Sequence, residues 1–140
     1  ALFDVAKKLG CNKIALGHHL DDITETLLLN LFYQGSFGTM PPKLKMDKFD
    51  MTIIRPLCLI SEKEMKEIER IRLYNKQIKN CPHEKDSSRR DAKNLLSELE
   101  KWNPDVRQSI WSAMENMKQD YLPQKVLKEN RIKSKSEKSN

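Results

Sequence analysis

An α/β fold is predicted for this chain, and three observations predict it. The run Lys13-Ile14-Ala15-Leu16 is short, apolar and bounded by polar residues, as a buried strand is. Thr52-Ile53-Ile54 is apolar and β-branched, which also suits a buried strand. Segments with helical apolar spacing and helix-terminal residues separate and follow these two.

The first element is a helix over about 1–9, with Gly10 at the position after its end. A strand at 13–17 leads into a helix at 21–34, whose Leu27-Leu28-Leu29, Leu31 and Phe32 mark it as mostly buried. A Gly-containing loop spans 35–42, then two short extended segments at 43–47 and 51–57, with Pro56 near the end of the second. Ser61-Glu62-Lys63-Glu64 is a capping box that opens a helix running to about Asn75. Ala92, Leu95, Leu96, Leu99 and Trp102 form one apolar helical stripe. Asn103-Pro104 supplies an N-cap and a Pro at the first helical position. The helix it starts is striped by Val106, Ile110, Ala113, Met114, Met117 and Tyr121. These last two helices read as a hairpin packed on the α/β part, with Lys125 onward left as a tail.

At 140 residues the chain makes one domain and is too short for two. It shows no apolar run of transmembrane length and no signal peptide, so a cytoplasmic protein with no membrane partner is expected. Three cysteines, an odd number without a CxxC pair, argue against a secreted disulfide framework. Cys11 and Cys58 stand beside apolar residues and read as packing residues, whereas Cys81 lies in the loop Cys81-Pro82-His83-Glu84, where chemistry is easier to place. The net charge is +6, of which residues 123–140, with six Lys/Arg and two Asp/Glu, supply +4. Such a tail either holds nucleic-acid phosphates or is a solvated, disordered terminus. With no initiator Met and no N-cap before the first helix, the chain is expected to be part of something longer.

Gly17-His18-His19-Leu20-Asp21-Asp22-Ile23-Thr24-Glu25-Thr26 packs two imidazoles and three carboxylates into the junction between the first strand and the second helix. In open α/β sheets, ligands bind at the carboxyl ends of strands. Asp22, Glu25 and Thr26 are three and four residues apart and share a helix face. Helix capping accounts for one acidic residue here, but not for two preceding imidazoles. Adjacent carboxylates suit Mg²⁺ or the polar groups of a nucleotide, and amides at the helix start suit phosphates. A metallohydrolase site would need further ligands, and the one remaining histidine is His83. The chain has four glycines and no Gly-rich run to wrap a phosphate, so any nucleotide site here is half a site. Lys85, Arg89, Arg90 and Lys93 gather near the start of a helix, either to meet phosphates or as a plain exposed face.

The Gly17–Thr26 motif resembles that of the PP-loop ATP pyrophosphatases, which include tRNA-thiolating enzymes and tRNA(Ile)-lysidine synthetase. Asn30-Leu31-Phe32-Tyr33-Gln34-Gly35, Met40-Pro41-Pro42-Lys43-Leu44, Ile54-Arg55-Pro56-Leu57 and Glu62-Lys63-Glu64 follow in order. With them, residues 1–122 resemble the tRNA 2-thiocytidine synthetase (TtcA) family. The resemblance implies the C-terminal part of an adenine nucleotide alpha hydrolase-like parallel-sheet domain over 1–60, a helical C-terminal region over 61–122 and a basic, disordered tail over 123–140. It implies an enzyme that uses ATP with Mg²⁺ to adenylate an anticodon-loop cytidine of tRNA and then installs sulfur, with a 4Fe-4S cluster.

By position, the resemblance makes Asp21 and Asp22 catalytic, places Gly17, His18, His19, Glu25 and Thr26 at the nucleotide, and makes Cys81 a cluster ligand. Lys43, Arg55, Arg89 and Arg90 are expected on the RNA surface. A sulfur donor such as a cysteine desulfurase and a homodimeric state are further expectations. The family's SGGxDS phosphate loop and first CxxC lie before the start of this chain, and Glu84 replaces the second cysteine of the later pair. The isolated chain is therefore expected to be inactive. The rivals are a lysidine-type ligase, which needs no cluster, and a non-catalytic RNA-binding remnant.

Overall fold

A computed structural model of the chain describes residues 2–74 and 87–123. Its elements in order are α1 (Leu2–Lys8), β1 (Lys13–Ala15), α2 (Leu20–Gln34), β2 (Lys43–Met46), β3 (Met51–Ile54), α3 (Glu62–Arg72), α4 (Ser87–Trp102) and α5 (Val106–Glu115).

The sheet has the order β1-β3-β2. β1 runs parallel to β3, a pairing that needs the long crossover supplied here by α2 and β2, and Ile14 lies beside Ile53. β2 is antiparallel to β3 and sets Leu44 on the other side of Ile53. Alternation along β3 buries Met51 and Ile53. The short helix α1 meets this sheet through Ala6, which packs with Ile14 and Met51, joined by Phe3 and Leu16. The Phe3 ring stacks on Phe49 at 4.8 Å between centroids.

α2 buries Leu20, Ile23, Thr24, Leu27 and Leu28. It ends at Gly35, whose φ of 58° is a left-handed conformation that only glycine adopts without steric cost, and the Ser36 N–H closes the last turn on the Asn30 carbonyl at 3.0 Å. The following loop folds back along the helix: Thr39 Oγ1 donates to the Ile23 carbonyl at 2.6 Å and Asn30 Nδ2 to that of Gly38 at 2.7 Å. A second core joins Leu28 to Ala92 and Leu96 of α4, with Leu29 and Ile110 packed against it. The α4–α5 hairpin thus packs on α2, as its apolar stripes predicted.

Several local expectations are corrected. Trp102 and Tyr121, placed on apolar stripes, are 83% and 86% exposed, because the buried stripe of α4 is carried by Ala92 and Leu96 and α5 stops at Glu115. α5 begins at Val106 rather than Pro104, since the Asn103 side chain accepts the Asp105 N–H at 3.0 Å and closes a turn inside the connection. Leu73 adopts a left-handed φ of 53° and ends α3 at Arg72, short of Asn75. Cys11 is exposed after the Gly10 turn, whereas Cys58 is buried as expected. Asn75, the Cys81 loop with Lys85, and the basic tail from Lys125 lie outside the described residues.

Candidate functional site

The carboxyl ends of the parallel strands β1 and β3 place Gly17 and His18 beside Arg55. Pairing continues one residue past β1, with the Leu16 N–H donating to the Ile54 carbonyl at 2.9 Å. Gly17 is exposed, and a Cβ there would meet nothing within 4 Å, so the chain is open to solvent at this point. The Arg55 guanidinium is buried: Nε donates to His18 Nδ1 at 3.4 Å and Nη1 to the Pro41 carbonyl at 2.6 Å. Its backbone N–H donates to the Pro42 carbonyl at 2.8 Å. One arginine thereby ties the end of β3, the 41–42 loop and the first imidazole together. Arg55, expected on the RNA surface, faces inward because the loop carbonyl draws it in.

His19 is the N-cap of α2, and its backbone N–H donates to Asp22 Oδ2 at 3.0 Å. The His19 ring lies between the two aspartates, 3.8 Å from Asp21 and 3.5 Å from Asp22. Leu20 donates its N–H to the Ile60 carbonyl at 2.9 Å, so this amide at the helix start is already satisfied. Asp21 is 4% exposed. Its Oδ2 accepts the Glu62 N–H at the first turn of α3 at 2.6 Å, and its Oδ1 lies 2.5 Å from Arg107 Nε of α5. The same guanidinium reaches Glu100 at 3.0 Å. Asp22 is the more open carboxylate, with its side chain 25% exposed.

Glu25, one turn further on, is buried. Burial pushes its carboxyl above the usual range, while the charges of Lys93 and Arg89 pull the other way. Arg89 lies 3.7 Å from it. Lys93 donates to Glu62 at 2.8 Å and Lys66 approaches the same carboxylate at 3.0 Å. Those hydrogen bonds hold the Glu62 carboxyl down at about 2. Asp21, Glu62, Lys66, Lys93 and Arg107 border a cleft of about 670 Å³ between α3 on one side and α4 and α5 on the other. Thr26 is half-buried on α2, while Lys43 and Arg90 are exposed.

No protein-family model matches the chain. The tRNA-cytidine(32) 2-sulfurtransferase of Geobacter sulfurreducens is 45% identical to it over 123 residues, which cover 86% of this chain and 48% of that protein. The enzyme of that name from Syntrophotalea carbinolica is 40% identical over 130 residues, covering 91% of this chain and 50% of its own length. The chain is homologous to the tRNA-cytidine(32) 2-sulfurtransferases. It spans about half the length of the curated relatives it matches. Among solved structures, the U34-tRNA thiolase NcsA from Methanococcus maripaludis with its 4Fe-4S cluster matches 84% of this chain and 41% of its own, with a TM-score of 0.63 and 22% identity. That likeness is one of fold.

The structure brings Gly17, His18, His19, Asp21, Asp22 and Glu25 to one end of β1 and α2, and sets Arg89 beside Glu25. Sequence reasoning missed Arg107, Lys93 as the partner of Glu62, and the docking of α3 on Asp21. For Arg107 a signal existed: it sits three and four residues before Ile110 and Trp111 on the inward side of α5, where a charged group needs a partner. Among the described residues no three or more His, Cys, Asp or Glu side chains gather as a metal would require. Cys11 and Cys58 are free thiols, one exposed and one buried. Cys81, the expected cluster ligand, lies outside the described residues.

Proposed function

We propose that this chain is part of an ATP-dependent tRNA sulfurtransferase that forms 2-thiocytidine in the anticodon loop. The observation that carries the reading is the 45% identity over 123 residues to an enzyme named for that reaction. The geometry agrees with it: an open, glycine-bearing strand end, two imidazoles and a partly open carboxylate lie at the carboxyl end of parallel strands, where α/β folds bind ligands. In the reaction, the cytidine C2 oxygen attacks the α-phosphorus of ATP and pyrophosphate leaves; sulfur then attacks C2 and AMP departs.

In this reading Gly17 lets the nucleotide approach the backbone, and His18, held by Arg55, presents its remaining ring nitrogen at the strand end. Asp22 and His19 form the adjoining polar wall, with Glu25 and Thr26 behind them on α2. Asp21 acts by fixing the start of α2 against α3 and α5. The remaining phosphate-binding groups come from a part of the protein outside this chain, and Cys81 serves as a thiolate ligand of a 4Fe-4S cluster. Lys43, Arg89 and Arg90 meet tRNA phosphates, a cysteine desulfurase supplies the sulfur, the enzyme is a cytoplasmic homodimer, and Mg²⁺ accompanies ATP. No helix among the described residues is long and apolar enough to cross a membrane.

The test is nucleoside analysis of tRNA incubated with the complete protein, ATP and a sulfide source. ATP-dependent 2-thiocytidine is expected. Lysidine, or no thionucleoside, overturns the reading.

A further inference from the structure

An apolar slot of about 280 Å³ lies between the 39–42 loop and α5, lined by Thr39, Met40, Pro41, Pro42, Trp111, Met114 and Glu115. The indole Nε1 donates to Glu115 Oε1 at 2.8 Å, which fixes the Trp111 ring and holds a carboxylate at the slot. Neither the core nor the Asp21 network uses these side chains.

We infer that this slot holds an unstacked cytosine of the tRNA loop, with the base packed on Trp111 and its N4 amino group donated to Glu115. The inference rests on the tRNA-sulfurtransferase reading above. Sequence-specific RNA recognition uses splayed-out bases stacked on aromatic rings and hydrogen-bonded at their edges. A carboxylate accepts from the cytosine N4 amino group but opposes the carbonyl oxygen that uracil carries there. One carboxylate oxygen of Glu115 takes the indole N–H, leaving acceptor capacity on the group.

The surrounding charge suits RNA. Lys43 follows Pro42 directly and Lys118 lies just beyond α5, both exposed. Arg55 ties the slot wall to the strand-end site, because it donates both to the Pro41 carbonyl, in that wall, and to His18. A base seated on Trp111 therefore lies on the loop that Arg55 fixes beside the nucleotide wall.

The test uses the complete protein with every tryptophan except Trp111, Trp102 among them, changed to Phe, so that Trp111 is its one indole; Trp102 is 83% exposed and outside the slot. Two RNA hairpins with the same stem and a seven-nucleotide loop, differing in a single loop cytidine or uridine, are titrated against Trp111 fluorescence. Quenching is expected, with about tenfold tighter binding of the cytidine hairpin. Trp111→Ala, followed by filter binding, is expected to weaken that hairpin about tenfold, and Trp111→Phe less. Glu115→Gln, which presents both a donor and an acceptor, should bring the two hairpins within about twofold. Circular dichroism identifies a variant that has unfolded, and the Trp111 signal of the parent chain decides the matter without it. Hairpin binding without quenching, equal affinity for the two loops, or no binding overturns the slot. Quenching by cytidine hairpins in a protein that thiolates no tRNA would instead keep the slot and sink the sulfurtransferase reading.

Discussion

The Asp21 carboxylate accepts the backbone N–H of Glu62 across 41 residues of sequence, at 2.6 Å. In the opposite sense, the Ile60 carbonyl accepts the N–H of Leu20 at 2.9 Å. The beginnings of α2 and α3 thus satisfy each other's unpaired donors, and Arg107 closes the arrangement from α5. The acidic pair in the motif is divided by this geometry: one carboxylate holds helices together, while the other remains partly open.

Asp21→Asn is expected to destabilise the protein by about 3 kcal/mol, since it leaves Arg107 facing a neutral partner in a buried setting. Asp22→Asn should cost less than about 0.5 kcal/mol, because Asn accepts an N-terminal hydrogen bond nearly as well. Urea unfolding of the two variants checks the split, and equal losses would show that Asp21 is not the clamp. Thiolation by the complete Asp22→Asn enzyme should fall steeply, in kcat rather than KM.

Acid unfolding should carry the signature of Glu62. Its carboxyl sits at about 2 in the folded protein against 4.5 ordinarily, so its stabilisation is present above pH 4.5 and is lost as pH falls towards 2. Glu62→Gln is expected to flatten that limb by about 1–2 kcal/mol after solvent screening. Glu25 acts with the opposite sign: burial raises it, so its contribution is favourable below 4.5 and declines as pH rises through its folded value. Glu25→Gln should remove that decline, as thermal melts at several pH values would register.

Leu96 is fully buried between α4 and α2. Leu96→Ala is expected to cost about 3 kcal/mol through lost burial and the cavity left behind. Trp102→Ala, despite removing a larger side chain, should cost less than about 0.5 kcal/mol. Denaturation midpoints compare the two directly, and a large Trp102 effect would place that ring in a core.

Thiol chemistry should separate the cysteines. Cys11 is exposed and should react with a maleimide in the folded chain, while the buried Cys58 should wait for unfolding. In the complete protein reconstituted with iron and sulfide, Cys81→Ala should lose cluster absorbance and Cys11→Ala should keep it. An unchanged spectrum in Cys81→Ala would remove that residue as a ligand.

What the sequence determined by itself was local. The strands at Lys13 and Thr52, the capping box at Ser61 and the glycine end of the first helix, where Gly10 has a φ of 68°, rest on nearest-neighbour chemistry. A β-branched run, a Ser three residues before a Glu, or a glycine after a helix acts the same way wherever it stands. The concentration of imidazole and carboxylate at Gly17–Thr26 was legible for the same reason. What only the tertiary structure decided was which charged group meets which. Asp21 and Asp22 are neighbours of one type, yet only Asp21 is buried against Glu62 and Arg107, because the direction of each side chain around α2 is read by helices that arrive 41 and 86 residues later. The burial of Arg55 and the exposure of Trp102 have the same cause. A side chain's surroundings are set by packing between distant segments, and spacing along one helix does not carry that information.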